Sequence, residues 1–582
     1  MAEDVLITFL PDEVTELILE NKQLEIRDVL NFALTCKHLH KTVLSSNKLW
    51  RKKLYQRWPL LKEVYWNHEN QQKVRVWWQE VQANFIVRKT MLDQLSLMSS
   101  KFHHKIDLAH SEFEGFDPLF KPERGAHPLA YHFLTDELMR LISIPIMDGN
   151  LTHKYYAQKL MRYIKQSQLS NEWQKFIELP PHKQLLESGA VFVAQWSQPD
   201  RHITHEGVGS MLDDIVEQAK DVLKEKHPSH PIFNTPCEQF EYWKKNNIDD
   251  NQWSIVETRQ VISALTEVIF NRLGFYSNSE MYYSSENSFI DRVLEHKRGI
   301  PIILAIIFES VCRRVGVKCE PIIFPSHFLL RWKEKYTGYP FHGEGENYYI
   351  DVFNNGRFIT RQNCPRISNV SRCPIERYNT LSASSVVEVV ERLANNLEVA
   401  SRQRTVLNGR ATRLRSALEL IHLVRPHDTG AILHLARFYM LHQMNLAKLV
   451  DILTQIKKDP EFTCRGPANH ILQMLQDYEK RNNVMTEVMY EENPEWSLDM
   501  SLEDLSKGAN QPFYKVFVDD GSRRHVAQEN LTMPTDPGWV DHHEIGKYFN
   551  QFKKSHYVPN REKADQYPED SKIREELVSR YS

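Results

Sequence analysis

Residues 9–50, FLPDEVTELILE…DVLNFALTCKHLHKTVLSSNKLW, constrain this chain more than any other stretch. Leu10-Pro11 leads into a short acidic turn and then apolar residues at helical spacing, Val14, Leu17 and Ile18. A second run sets Val29, Leu30, Ala33 and Leu34 on one face. A third runs from Thr35 through Cys36, Lys37 and Leu39, and the segment closes on Leu49-Trp50. Pro11 suits the first position of a helix, where its missing N–H would have no partner anyway. Asp12 and Glu13 then complement the positive end of the helix dipole. Three helices this short enclose too small a core to stand alone, so their apolar surface needs a partner. The periodicity by itself is equally that of an ordinary helical hairpin.

At 582 residues the chain is too long for one core and predicts three or four domains. With 41% hydrophobic and 26% charged residues it reads as globular, and a net charge of −3 gives no general basic field for nucleic acid or anionic lipid. The 7 cysteines are scattered and odd in number, which argues against a disulfide framework and for a reducing compartment. Histidine groups such as His38/His40, His103/His104 and His227/His230 lack the second half of a zinc site. The N-terminus has no basic start of the kind a signal peptide shows. The longest apolar run, Ile300 to Val311, is too short to span a bilayer. No cofactor, metal or membrane partner is expected, and the expected location is cytoplasmic, nuclear or both.

Helical spacing continues over 56–180. Trp78, Val81, Phe85, Leu92 and Leu95 form one stripe, interrupted by Arg88, while Tyr156, Leu160, Tyr163 and Ile164 form another. From about 185 to 380 the texture becomes mixed. A helix over 254–272 precedes a buried helix from Pro301 to Arg314. Strands follow at Glu320–Phe324, His327–Trp332 and Asn347–Val352, and Asn355-Gly356 turns the last into a hairpin with Arg357-Phe358-Ile359. Residues 381–485 return to helices, with Ala417, Leu418, Leu420, Ile421, Leu433, Leu435, Ala436 and Tyr439 as core. Residues 486–510 read as an acidic linker. Residues 511–582 open on the alternating strand Phe513–Val518, which turns at Asp519-Asp520-Gly521.

Leu10, Pro11, Glu13, Val14, Ile18, Leu19, Val29, Leu30, Cys36, Lys37, Leu39, Leu49 and Trp50 together resemble the F-box, here residues 1–55. The resemblance implies docking onto the Skp adaptor of a cullin–RING ubiquitin ligase through Leu10, Pro11, Val14, Ile18, Leu30, Cys36, Leu39, Leu49 and Trp50.

HKRGIPIILAIIFESVCRRVGVKCEPIIFPSHFLLRW, followed by YYIDVFNNGRF, resembles the SirB-type branch of the transglutaminase-like fold, over roughly 185–450 with its helical tail. In catalytic members a cysteine at the N-terminus of the buried helix attacks an acyl carbon, a strand histidine takes its proton, and an aspartate orients the histidine. His327 and Asp351 match the last two. The nucleophile position falls at or beside Pro301, which offers no thiol. Cys312 lies eleven residues down the helix, roughly 16 Å away at 1.5 Å per residue. Ser326 points to the opposite face of the strand from His327, and Cys319 sits past the helix end. Metal binding by His327, Asp351 and His342 has too few ligands to stand on. The expectation is a vestigial pair in a catalytically silent, protein-recognising domain.

QPFYKVFVDDGSRRHVAQENL, with Gly546, Tyr548, Phe549 and the run His556-Tyr557-Val558-Pro559-Asn560, resembles the YccV/HspQ family of small β-barrels. Only the acidic 486–510 stretch stands before Gln511 where the family's opening strands belong, so the barrel is expected to be incomplete or closed differently. Lys515, Arg523, Arg524, Lys547, Lys553 and Lys554 are offset by carboxylates, which favours a solvated surface over a DNA reader.

The expected fold class is therefore multidomain α+β. It comprises a three-helix F-box with a helical spacer, a central transglutaminase-like α+β domain with a helical tail, and a small C-terminal all-β module. These resemblances imply a substrate-recognition subunit of an SCF-type ligase that binds the Skp adaptor and, through it, cullin–RING. It recruits protein clients and acts by proximity without catalysing a reaction itself. Two rivals remain: an acyl-transfer or protease-like enzyme using His327 and Asp351, and a DNA-associated factor acting through the C-terminal module.

Overall fold

The structure is a computed structural model. It describes residues 10–69, 75–105, 107–324, 327–336, 347–360, 382–403, 409–442, 513–519, 521–532, 538–554 and 556–568, with isolated positions besides. The 486–510 stretch, Ser326 and His342 lie outside the described residues. The chain forms two compact units, Met1–Ile164 with Leu498–Ser582, and Lys165–Ser497.

In the first unit, helices α1 (Asp12–Leu19), α2 (Ile26–Ala33), α3 (Lys37–Ser45) and α4 (Asn47–Arg57) occupy the N-terminal segment. There are four helices here, not three, because Ser46 accepts the Leu49 N–H at 3.4 Å and starts a new helix that carries Leu49-Trp50 inside it. Pro11 stands at the N-cap, just ahead of the first helical residue. The core begins with Leu19, Val29, Val43, Trp50 and Leu54 and continues without a break into Trp58, Tyr65, Trp77, Val81, Leu129 and Phe133. Part of the partner that such short helices need is thus supplied by the same chain, from α5 (Leu61–Glu69), α6 (Trp77–Phe102) and α7 (Ala130–Ser143). The remainder of α6 packs with the start of α8 (Leu151–Ile177) in a second cluster that includes Met91, Leu95, Phe113, Tyr156, Leu160 and Ile164. Arg88 leaves the apolar stripe of α6 to meet Glu137 at 2.5 Å.

Among its described residues, the C-terminal part of this unit contains two antiparallel hairpins. Phe513–Phe517 pairs with Arg523–Ala527, and Phe549–Lys553 pairs with His556–Pro559. They are separate two-stranded sheets, and the described residues form no closed barrel.

The second unit is built around helix Pro301–Arg314, every residue of which is buried. A four-stranded antiparallel meander lies beside it: Glu320–Phe324, His327–Lys333, Asn347–Asp351 and Arg357–Ile359. Register sets Leu330 opposite Ile350 and Asp351 opposite Arg357. The last turn needs two left-handed residues in succession, Asn355 at φ 55° and Gly356 at φ 71°. A Cβ on Gly356 would also come within 2.8 Å of the Phe270 ring. Helices Val386–Arg402, Arg410–Val424 and Thr429–Leu441 follow, and Ala417, Leu420, Leu433 and Ala436 are buried in them as their spacing predicts.

Candidate functional site

Helix α1 turns Val14, Leu17 and Ile18 outward (39%, 67% and 46% exposed) and buries Thr15 and Leu19. An outward stripe at i, i+3, i+4 made of aliphatic residues, with a threonine inside, inverts the pattern of a helix that serves only its own core. Leu34, just past α2, is also exposed. Pro11 is exposed, and Leu10, Leu30 and Cys36 are half-buried. Leu39, Leu49 and Trp50, nominated with them as adaptor contacts, are instead buried in the unit's own core. Trp50 donates its indole N–H to the Val43 carbonyl at 2.8 Å and lies 4.5 Å from the Trp78 ring. Cys36 caps α3, its sulfur accepting the Leu39 N–H at 3.5 Å.

The scaffold beneath this stripe is polar and specific. Lys53, buried on α4, donates to the Asn21 and Leu24 carbonyls at 2.8 and 2.6 Å and so fixes the α1–α2 loop. Burial pushes its pKa down. Asp12 accepts from Thr42 of α3 at 3.0 Å. Glu20 takes ion pairs from Lys52 and Lys48, and the Lys52 hydrogen bond in particular holds its carboxyl below the usual range. Motif reading did not reach Lys53 or Glu137, because a buried polar residue has no periodic signature.

In the second unit His327 Nε2 stands 3.7 Å from Asp351 Oδ1. Asp351 also accepts from the Phe353 N–H at 3.1 Å and Asn354 Nδ2 at 2.5 Å. Burial alone would raise the Asp351 carboxyl, but His327 and Asn354 outweigh it and hold its pKa below the ordinary value. Strand alternation decides which way the pair faces. Phe328, Leu330, Trp332 and Ile350 belong to the large core that contains helix Pro301–Arg314. Leu329, Tyr349 and Ile359 form a separate cluster with Ile322 and Phe324 on the other face. His327 is in phase with Leu329, and Asp351 with Tyr349, so the pair belongs to the face turned away from that helix. Cys312 and Cys319 are buried, and burial pushes the Cys312 thiol well up. Pro301 is the first residue of the helix, with Ile300 as its cap. A cavity of about 450 Å³ lies at the helix's other end, lined by Asp249, Glu309, Arg313, Lys318 and Glu320 but by neither His327 nor Asp351. Among the described residues no group of three or more His, Cys, Asp or Glu is placed to hold a metal ion.

Of the C-terminal cations named above, Lys547 is buried and Arg523 is paired with Glu544, while Lys515, Arg524, Lys553 and Lys554 are exposed.

Three family models match the chain: F-box-like at residues 7–56, transglutaminase-like superfamily at 206–395, and hemimethylated DNA-binding protein YccV like at 484–556. The last begins well before Gln511, so 486–510, expected as a linker with the opening strands missing, falls inside the matched region. F-box only protein 21 of Homo sapiens is 28% identical over 617 residues, covering 98% of this chain and 93% of that protein. The protein of the same name from Pongo abelii is 28% identical over 610 residues with the same coverage. A UPF0162 protein of Buchnera aphidicola is 22% identical over 288 residues, 47% of this chain and 95% of that protein. No solved structure matches. With F-box-like, transglutaminase-like and YccV-like regions in that order, the chain is similar along nearly its whole length to F-box only protein 21.

Proposed function

We propose that this chain is the client-receiving subunit of an SCF-type ubiquitin ligase. It binds a Skp adaptor through the outward stripe of α1 and presents protein clients for ubiquitination. The observation that carries this reading is the coincidence of the F-box-like match at 7–56 with aliphatic residues Val14, Leu17 and Ile18 turned to solvent on a helix whose core is completed elsewhere. Exposed side chains of this kind have no role in the isolated fold and suit a helix-in-groove partner. The stripe replaces Leu39, Leu49 and Trp50 in the proposed contact set. A cytoplasmic or nuclear location goes with this reading.

The transglutaminase-like domain acts here as a recognition scaffold without acyl-transfer chemistry. Three features support that. The helix opens on Pro301, the described cysteines of the helix and its exit are buried, and the His327–Asp351 pair lies on the sheet face away from the helix. A base and its orienting carboxylate need a nucleophile within about 3 Å to work.

Co-expression with a Skp adaptor tests the main claim. Leu17→Asp with Ile18→Asp is expected to abolish co-purification while leaving the melting temperature unchanged. An intact complex would remove the α1 stripe from the interface and the proposal with it.

A further inference from the structure

The C-terminal module meets the helices of its own unit through buried polar groups of a kind that a loosely tethered domain would not need. Lys547 lies in the 3-10 turn Ile545–Lys547, all three residues of which are buried. Its ammonium donates to the Lys105 carbonyl at 2.6 Å and to Glu544 at 2.6 Å, and Glu544 also takes Arg523. The Lys547 carbonyl accepts from Ser99 of α6 at 2.8 Å and from Asn560 at 2.7 Å, and Asn560 also donates to Ser99 at 2.7 Å. Thr152 of α8 donates to the Phe549 carbonyl at 3.1 Å. Gly546 sits so close that a Cβ there would stand 2.2 Å from the Leu151 carbonyl oxygen and 2.5 Å from Tyr155 Cβ. Only a residue without a side chain fits that approach.

We propose that the YccV-like module is a built-in brace of the F-box-bearing unit, and that the partner of its 545–549 turn and Asn560 is the chain's own α6–α8 face. Buried polar groups fix register and orientation more strictly than apolar packing does, because each left without its partner carries the full desolvation cost. Glu544 shows how committed the cluster is. Burial would raise its carboxyl, yet Arg523 and Lys547 hold it down to about 2. Arg523 and Lys547, two of the cations a nucleic-acid reader could use, are thereby paired within the chain. The inference does not depend on the ligase reading.

Hydrogen exchange on the full-length chain tests it, with Gly546→Val and the milder Asn560→Ala as variants. A brace predicts at least tenfold faster exchange in α6 from Met91 to Phe102 and in α8 from Leu151 to Ile164, together with the 513–560 hairpins, in both variants. Loss of protection confined to 513–560 would mean that the module is a passenger and would overturn the proposal. Should Gly546→Val fail to fold, Asn560→Ala alone decides between the two patterns. Titration of the wild-type chain with a hemimethylated DNA duplex at low salt is expected to show no binding. Binding that weakens steeply as salt rises would assign the module to nucleic acid instead.

Discussion

Trp58 donates its indole N–H to Glu137 Oε2 at 2.9 Å, so the residue that follows α4 is anchored on a carboxylate 79 positions along the chain. The other oxygen of Glu137 takes Arg57 at 3.1 Å and Arg88 at 2.5 Å. One buried carboxylate therefore ties α4, α6 and α7 together under the N-terminal helices. Its removal leaves the buried indole N–H without an acceptor and breaks the ion pairs of two half-buried guanidinium groups. Glu137→Ala is expected to cost about 3–5 kcal/mol of unfolding free energy, as for other broken buried pairs. Glu137→Gln, which keeps one acceptor, should cost less. Urea melts of the two variants check the order, and equal midpoints for wild type and Glu137→Ala would contradict it.

Core and contact residues of the N-terminal segment separate under mutation. Trp50→Ala removes a fully buried ring and its hydrogen bond to Val43, an expected loss of about 3–5 kcal/mol. Leu17→Asp acts at an exposed position and should stay within about 0.5 kcal/mol of wild type. Thermal melts give the first number and adaptor pull-down completes the contrast. Leu17→Asp should fail in the pull-down while fully folded, whereas any loss with Trp50→Ala should track the unfolded fraction that its melt shows.

The distance between sequence and structure is instructive at these same residues. Helix Pro301–Arg314 was legible because a run as apolar as Ile302–Phe308 directly after a proline has few other uses, and the Asn355-Gly356 turn because two left-handed residues are rare. The F-box-like segment was legible as a motif, but an aliphatic residue carries the same signal whether it faces a core or a partner. Leu39, Leu49 and Trp50 could therefore not be told from Val14 and Ile18 until burial was known. Glu137, Lys53 and Lys547 were invisible because their partners lie far away in the chain or are backbone carbonyls, which no spacing rule encodes. The direction of His327 followed only once the two faces of the sheet were assigned to different clusters.

Asp351 gives stability with a definite pH signature. Its folded pKa is held below the ordinary 3.8. Its contribution is therefore complete above that value and is lost as pH falls through the folded pKa. Asp351→Asn cannot serve the Phe353 N–H, Asn354 and His327 as the carboxylate does. An expected penalty of about 1–3 kcal/mol at pH 7 should shrink as the pH falls below 3.8 and through the lower folded value. Denaturant midpoints of the two proteins across that range measure it. A penalty that is constant with pH would mean that Asp351 acts by shape alone.

Glu309 has the opposite sign. It lies buried on helix Pro301–Arg314 with Ser310 at 3.5 Å and Arg313 at 3.6 Å, and Arg313 and Arg314 are both drawn to Glu187 instead. Burial pushes its pKa from 4.5 up to about 7. A raised carboxyl pKa means that the folded state holds the proton more tightly than the unfolded chain does. Stability should therefore fall as pH rises between those two values, by about 3 kcal/mol once the group is fully ionised in both states. Glu309→Gln keeps the shape and removes the charge. Relative to wild type it should gain little at pH 5 and most at pH 8, which paired urea titrations at the two pH values would show directly. If the wild type were as stable relative to Glu309→Gln at pH 8 as at pH 5, Glu309 would be an ionised partner of Arg313 and the helix would carry no buried neutral acid.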